Sequence, residues 1–195
     1  MQNYNLYLIL NPNISSEDLG TELNSIQSTL TSELNAQNIN VSEEGLKKLS
    51  YPINKKWTGM YVNVDFDLDI NDCSKVKILE QKLNLRDNII RYMILNNTEF
   101  YLQKSKEKLS NVEIANHRDL NKNLKEGKKC ISKFMGVRVI DYKDIPYLSQ
   151  FTSPYAKIFS REKTGSSAKF QRKINIAIKR ARHMGLLPFT NIHEA

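Results

Sequence analysis

The chain has 195 residues, of which 40% are hydrophobic, and a formal net charge of +8 at pH 7. No apolar run approaches the roughly 18 residues of a membrane span, and two cysteines without a leader segment do not suit a secreted disulfide framework. Residues 1–105 hold ten Lys or Arg and thirteen Asp or Glu, a net charge of −3, whereas residues 106–195 hold nineteen and eight, a net charge of +11. This asymmetry predicts two domains, and only the second has the charge of a nucleic-acid-binding protein.

The first half begins with a strand and a helix. Tyr4 to Leu10 is a short apolar and aromatic run that Pro12 ends, which is typical of a strand. Ser15 and Asp18 then form a capping pattern, and leucine and isoleucine recur every three or four residues as far as Leu34. That spacing predicts an amphipathic helix.

The rest of this half predicts two strands, a helix and a last strand. Residues 39–53 and 57–68 alternate as strands do, Asn71 or Asp72 caps a second helix, and residues 89–95 form the final strand. The order β-α-β-β-α-β predicts a ferredoxin-like split βαβ fold. In that fold two helices cover one face of a four-stranded antiparallel sheet and leave the other face partly open.

Two aromatic residues belong to the predicted open face. Alternation along residues 57–68 places Trp57 and Tyr61 there. They are either ordinary surface aromatics or part of a docking surface. A further alternative is an RNA recognition module with stacking aromatics in the segment Lys56–Val62. It is disfavoured because the glycine does not lie at the position that the aromatic strand motif of such modules requires, and because this half is net acidic.

Residues 103–128 separate the two halves and are rich in Lys, Glu, Asn and Ser. This composition favours a charged linker, and a solvent-exposed helix over residues 109–124 is the alternative. We therefore predict a domain over residues 1–102, a linker over 103–128 and a small helical domain over 129–195. The whole chain is then of the α+β class.

The second half is built around a basic helix. Residues 145–151 predict a short helix that tolerates Pro146 in its first turn. The main helix starts after Ser166 or Ser167 and runs to about Met184, where Gly185 follows as a stop signal.

The main helix has one apolar face and one basic face. The predicted buried face holds Phe170, Ile174, Ala177, Ile178 and Ala181. The opposite face holds Lys169, Arg172, Lys173, Lys179 and Arg180. A face that is merely solvated usually mixes Glu with Lys, but no acidic residue lies between Lys163 and Glu194. We therefore predict that this face binds nucleic acid, with the turn Thr164–Ser167 offering hydroxyl and backbone N–H groups to a phosphate.

Particular segments of each half resemble a known family. Gly45–Ile53 and Leu85–Met93 resemble bacterial-type small-subunit ribosomal protein six, a likeness that extends over residues 1–101. Thr164–Arg172 and Ile178–Thr190 resemble small-subunit ribosomal protein eighteen, over about residues 129–191. Proteins of these two families form a heterodimer on the central domain of small-subunit ribosomal RNA, so the resemblance implies one chain that holds both partners.

The resemblance also implies partners and sites. The partners are the central domain of small-subunit ribosomal RNA, neighbouring small-subunit ribosomal proteins and, within the chain, each half for the other, with Trp57 and Tyr61 as predicted docking residues. The basic pattern and the resemblance together predict an RNA-binding set of Lys157, Arg161, Lys163, Thr164, Lys169, Arg172, Lys173, Lys179, Arg180 and Arg182.

The expected function is that of a structural constituent of the small ribosomal subunit, in a bacterial cytoplasm or in an organelle. The alternative is a free RNA-binding regulator that represses its own messenger through the same helix. We expect no enzymatic activity, metal or cofactor, because the three histidines are scattered and no nucleophile or phosphate-loop motif is present. Alternate Asp residues from Asp65 to Asp69 are more typical of an exposed strand face than of a nuclease.

Overall fold

The computed structural model describes residues 1–96 and 140–190, and the chain divides into two units, Met1–Tyr101 and Leu102–Ala195. The predicted linker, residues 103–128, lies outside the described residues. None of the described helices has the length and apolar character that crossing a bilayer requires.

The N-terminal unit has the predicted order of strands and helices. Its elements are β1 (Gln2–Leu10), α1 (Ser16–Ser32), β2 (Gln37–Ile53), β3 (Lys56–Leu68), a 3-10 turn (Ile70–Lys75), α2 (Val76–Asn84) and β4 (Ile89–Asn96). The strands form one sheet in the order β2-β3-β1-β4, and every neighbouring pair is antiparallel. The predicted four-stranded antiparallel sheet with two helices is confirmed.

One face of the sheet packs against both helices. Alternate residues of β1 and β3 point to this face because successive side chains of a strand alternate, and they meet the apolar stripe of α1 and two leucines of α2. The buried cluster includes Leu6, Leu8, Val62, Val64, Phe66, Leu23, Ile26, Leu30, Leu79 and Leu83. Ser15 caps α1 as predicted, since its hydroxyl accepts the Asp18 N–H at 3.1 Å.

The start of the second helix differs from the prediction. A 3-10 turn comes first, and α2 begins at Val76 with no side-chain hydrogen bond at its N-cap, Lys75. The Asp72 carboxylate is engaged within the 3-10 turn, where it lies 2.7 Å from the Lys75 Nζ. The predicted cap at Asn71 or Asp72 is therefore wrong.

The opposite face of the sheet is more covered than expected. Tyr7 and Tyr61 lie on it with their ring centroids 5.5 Å apart, and both are fully buried, whereas Trp57 remains 43% exposed. Gly59 permits close packing here, because a Cβ at this position would lie 2.5 Å from the Ile9 Cγ2. Burial also raises the pKa of Tyr61. Strand alternation tells which face a side chain points to, but not how fully that face is covered.

The described part of the C-terminal unit holds three helices. They are α3 (Ile145–Ser149), α4 (Arg161–Thr164) and α5 (Ala168–His183). An aromatic chain joins α3 to α5, because the Phe151 ring makes edge contacts with Tyr147 at 5.3 Å and Phe170 at 6.2 Å between centroids. Ser167 caps α5, accepting the Phe170 N–H at 3.3 Å, so the predicted start of the main helix is confirmed.

Candidate nucleic-acid interface

The basic face of α5 is the main candidate site. All five residues of the predicted apolar face are buried, which fixes the rotation of the helix and turns its cations outward. The exposed cations of α5 are Lys169, Arg172, Lys179 and Arg180. None of these four forms an ion pair with another described residue. Their charges are therefore available to an external anion.

The cations of α5 follow the helical repeat. Positions 169, 172, 176, 179 and 183 are three or four residues apart, and position 180 lies four residues after 176, so all six form one stripe along the helix. Ile176 interrupts this stripe and is 50% exposed, whereas Lys173 at its margin is partly buried. The stripe spans about four turns, a length that can meet several phosphates in succession.

The turn before α5 does not present its hydroxyls as predicted. Thr164 and Ser166 are both buried, and their Oγ atoms lie 2.9 Å apart. Gly165 reverses the chain between them with a φ of 60°, a left-handed conformation that suits glycine, and this turns both side chains inward. The expectation that the Thr164 hydroxyl faces a phosphate is therefore wrong. The Ser167 hydroxyl is used as the cap of α5.

Gln171 was not predicted as a site residue, yet it holds this region together. Its Nε2 donates to the Phe159 carbonyl at 2.9 Å, and its Oε1 lies 3.3 Å from the Thr164 Oγ1. The Lys163 Nζ lies 4.1 Å from the centroid of the Phe159 ring, within the range of a cation–π contact. The only signal in the sequence was a polar residue beside Phe170, at the border between the two faces of α5.

Arg182 lies apart from the exposed stripe. Its Nε donates to the Pro188 carbonyl at 3.1 Å, and its Nη2 donates to the Ala156 carbonyl. The Phe189 ring centroid lies 5.8 Å from the Arg182 Cζ. Burial lowers the pKa of this guanidinium. Arg182 therefore ties two chain segments together, and any contact that it makes with RNA involves a side chain already engaged with protein.

The remaining predicted cations lie before α5. Lys157, Arg161 and Lys163 are exposed. The Lys157 backbone is held in a tight turn, because its N–H donates to the Ser153 Oγ at 3.1 Å and its carbonyl accepts the Ser153 N–H at 2.7 Å. Seven of the ten predicted residues are thus exposed, namely Lys157, Arg161, Lys163, Lys169, Arg172, Lys179 and Arg180. Within residues 1–96 and 140–190, no cluster of His, Cys, Asp or Glu is arranged to hold a metal.

A buried hydroxyl group of α3 allows a prediction about stability. The Tyr147 Oη is buried and makes no hydrogen bond with a described residue. Because leaving a buried polar group unsatisfied is unfavourable, Tyr147→Phe should raise the free energy of unfolding by about 1–2 kcal/mol, measured by urea denaturation at pH 7. Tyr155→Phe is the matched control, since Tyr155 is 68% exposed and its replacement should change little.

The same residue should affect alkaline stability. Burial, followed by the nearby Asp144 charge, raises the pKa of Tyr147 above its usual 10.0. Above about pH 10 the unfolded tyrosine loses its proton while the folded one keeps it. The part of the free energy of unfolding that comes from this raised pKa is therefore complete below that pH and declines above it. Tyr147→Phe should therefore make unfolding less sensitive to pH between about 10 and 11. An unchanged pH profile would contradict this expectation.

Comparison with known proteins finds two families along the chain. The family model for Ribosomal protein S6 matches residues 3–96, and the family model for Ribosomal protein S18 matches residues 136–187. The small ribosomal subunit protein bS18 of Flavobacterium johnsoniae is 46% identical over 65 residues, a match that takes in 33% of this chain and 66% of that protein. Among solved structures, a crystal structure of 30S ribosomal protein S6 from Thermotoga maritima aligns with 54% of this chain and 95% of its own, with 21% identity and a TM-score of 0.47.

The two matched ranges do not overlap, and each falls in a different structural unit. The first takes in β1 to β4, and the second takes in α3, α4 and α5 with the basic face. The chain therefore belongs to two families at once, as a fusion of an S6-family region with an S18-family region.

Proposed function

We propose that this chain is a structural constituent of the small ribosomal subunit and that the basic face of α5 binds ribosomal RNA. The observation that carries the proposal is the row of exposed cations on α5, in the S18-family region, that form no ion pair with any residue the structure describes. A face of this kind neutralises phosphates and releases their counterions, which favours binding to any nucleic acid. Because the two matched families are ribosomal proteins of the small subunit, we expect the nucleic acid to be ribosomal RNA.

The geometry of α5 favours contacts with the RNA backbone. Lysine and arginine side chains on one helix face reach phosphates as point charges or bidentate donors, and such contacts set the position of a protein on RNA. Because an A-form major groove is too narrow for a helix, we expect α5 to lie along phosphates instead of inserting into a groove. Lys157, Arg161 and Lys163 would extend the contact beyond the start of α5.

The finer proposal concerns the place of the chain in the subunit. We expect it to bind the central domain of the RNA, in the platform, beside neighbouring small-subunit proteins, in the ribosome of a bacterium or an organelle. The N-terminal unit would act as a scaffold on which the basic unit docks. Since one chain carries both partners, docking is intramolecular, with an effective concentration in the millimolar range for a suitable linker.

Sucrose-gradient sedimentation of cell extracts tests the structural role. The protein should co-sediment with small subunits and stay bound at salt concentrations that remove weakly attached proteins. If the protein remained instead at the top of the gradient, while retaining its affinity for RNA, the proposal would fail in favour of a free regulator.

The docking proposal makes a prediction at Trp57. Tryptophan is common among residues that dominate protein interfaces, and Trp57 is the partly exposed aromatic of the predicted docking pair. Trp57→Ala should weaken association of the units by about 2 kcal/mol or more, roughly 30-fold. The measurement uses the full chain with a protease site placed within residues 103–128, cleaved after folding and then diluted through a sizing column.

Controls make this test specific. Leu85→Ala is matched, because Leu85 is an apolar residue of the same unit that is 83% exposed at the end of α2. Tyr61 is less suitable for substitution, since removing a buried aromatic side chain generally destabilises a fold by about 3–5 kcal/mol. Equal dissociation of the cleaved Trp57→Ala protein and the cleaved wild type would remove Trp57 from the interface. Immediate separation of the wild-type halves would exclude docking altogether.

A further inference from the structure

Two backbone segments that carry exposed aromatic residues are held by the same guanidinium in the C-terminal unit. Arg182 donates to the carbonyl of Ala156, which follows Tyr155, and to the carbonyl of Pro188, which precedes Phe189. Tyr155 is 68% exposed and Phe189 is 51% exposed. Large aromatic side chains of a compact unit are usually buried, so the exposure of two rings at one end of α5 needs a reason.

The backbone around both rings is fixed. The Ala156 N–H donates to the Ser153 carbonyl at 2.9 Å, and Ala156 itself has a φ of 57°, so Tyr155 lies in a tight, defined turn. On the other side, Phe189 follows Pro188, whose ring restricts its own φ and whose carbonyl accepts the hydrogen bond from Arg182. The Phe189 ring also lies 5.8 Å from the Arg182 Cζ. The rings are therefore presented by rigid segments, an arrangement that lowers the entropy lost on binding.

The surroundings of the rings indicate the chemistry of their ligand. Lys157 is exposed two residues after Tyr155, and the guanidinium of Arg182 lies beside the Phe189 ring. No acidic residue occurs from Lys163 to Phe189. Flat rings among cations suit a ligand that has both a flat aromatic surface and negative charge. An unpaired nucleotide has both, since its base stacks on aromatic rings and its phosphate meets the cations.

We propose that Tyr155 and Phe189 form a stacking site for unpaired RNA bases, with Arg182 holding the two segments in place. This inference rests on the proposed RNA-binding function and adds that the RNA bound at this end of α5 is single-stranded. The α5 stripe then supplies phosphate contacts that any RNA can make, while the two rings distinguish an unpaired strand or loop from a duplex. Arg182 is a positioning residue in this arrangement.

The test compares two RNA probes with the full chain. One is a hairpin with a loop of unpaired purines that includes 2-aminopurine, and the other is the same stem closed as a blunt duplex. Tyr155→Leu and Phe189→Leu should each lower affinity for the looped hairpin about tenfold and relieve the quenching of 2-aminopurine, with no change for the duplex. The slope of affinity against salt should stay the same, because no phosphate contact is lost.

Conservative variants separate stacking from folding. Phe189→Tyr and Tyr155→Phe keep a ring and should bind the hairpin as the wild type does, and all four variants should have unchanged thermal unfolding because both side chains are exposed. If the leucine variants bind both probes as tightly as the wild type, the stacking site is overturned. The proposed function would still stand in that case, provided that both probes bind in a salt-dependent way. If the wild type bound neither probe at any salt concentration, the proposed function would be overturned as well.

Discussion

Replacing Arg172, Lys179 and Arg180 together by Gln should lower the salt dependence of binding to small-subunit ribosomal RNA by about 2–3 units of logarithmic slope. Each lost phosphate contact removes about 0.7–0.9 from that slope, because fewer counterions are released. A fourfold rise in salt should then reduce the affinity of the wild type roughly 20- to 40-fold more than the affinity of the variant. Filter binding or fluorescence anisotropy over a range of KCl concentrations measures both slopes.

The choice of these three residues follows from the structure. They are exposed, lie on one stripe of α5 and form no ion pair with a described residue, so their removal should not disturb folding. Arg182 is left unchanged because its guanidinium holds two backbone carbonyls. Changing it would confuse the loss of an RNA contact with the loss of local structure.

A second triple variant controls for net charge. Replacing Lys48, Lys55 and Lys77 by Gln removes the same charge from exposed positions of the N-terminal unit. This variant should keep the wild-type slope to within about half a unit, since those lysines lie outside the proposed interface. Equal slopes for the α5 triple variant and the wild type would mean that the assigned face does not contact phosphate.

The periodic spacing of apolar residues predicted the helices and strands of this protein well, because burying one side of an element imposes that spacing. The apolar repeat of α5 and the alternation in β3 are consequences of packing one side of an element, so the sequence displays them directly. The outward direction of Arg172 and Lys179 was predictable for the same reason, because both side chains are turned outward once Phe170 and Ile174 face inward.

The side chains whose orientation or partners could not be predicted from the sequence depend on tertiary contacts or local turn geometry. The residue type of Thr164 and the family resemblance predict an outward side chain, but the left-handed Gly165 turns it into the protein. Arg182 has the residue type of an RNA contact, yet its partners are carbonyls 6 and 26 positions away along the chain. The sequence predicts Asp72 as a possible cap, but its carboxylate pairs with Lys75 instead. None of these outcomes follows from a periodic pattern.

The basic face can act only while α5 is folded, and Ile174→Ala should test this dependence. Ile174 is fully buried, and truncation of such a residue generally destabilises by about 2–5 kcal/mol through lost burial and the cavity left behind. A unit of this size has little stability in reserve. We therefore expect amide hydrogen exchange throughout α5 to accelerate strongly and RNA affinity to fall, although no basic residue has been changed.

Ile176 provides a matched control two positions along the same helix. It is 50% exposed, so Ile176→Ala removes the same atoms but should change stability by less than about 0.5 kcal/mol. Alanine also has the higher helix propensity, so α5 itself should not weaken. Fluorescence of Trp57, the one tryptophan of the chain, reports on the N-terminal unit during the same measurements. If both variants exchanged and bound RNA alike, the assigned rotation of α5 would be incorrect, and the basic stripe would have to be placed on another side of the helix.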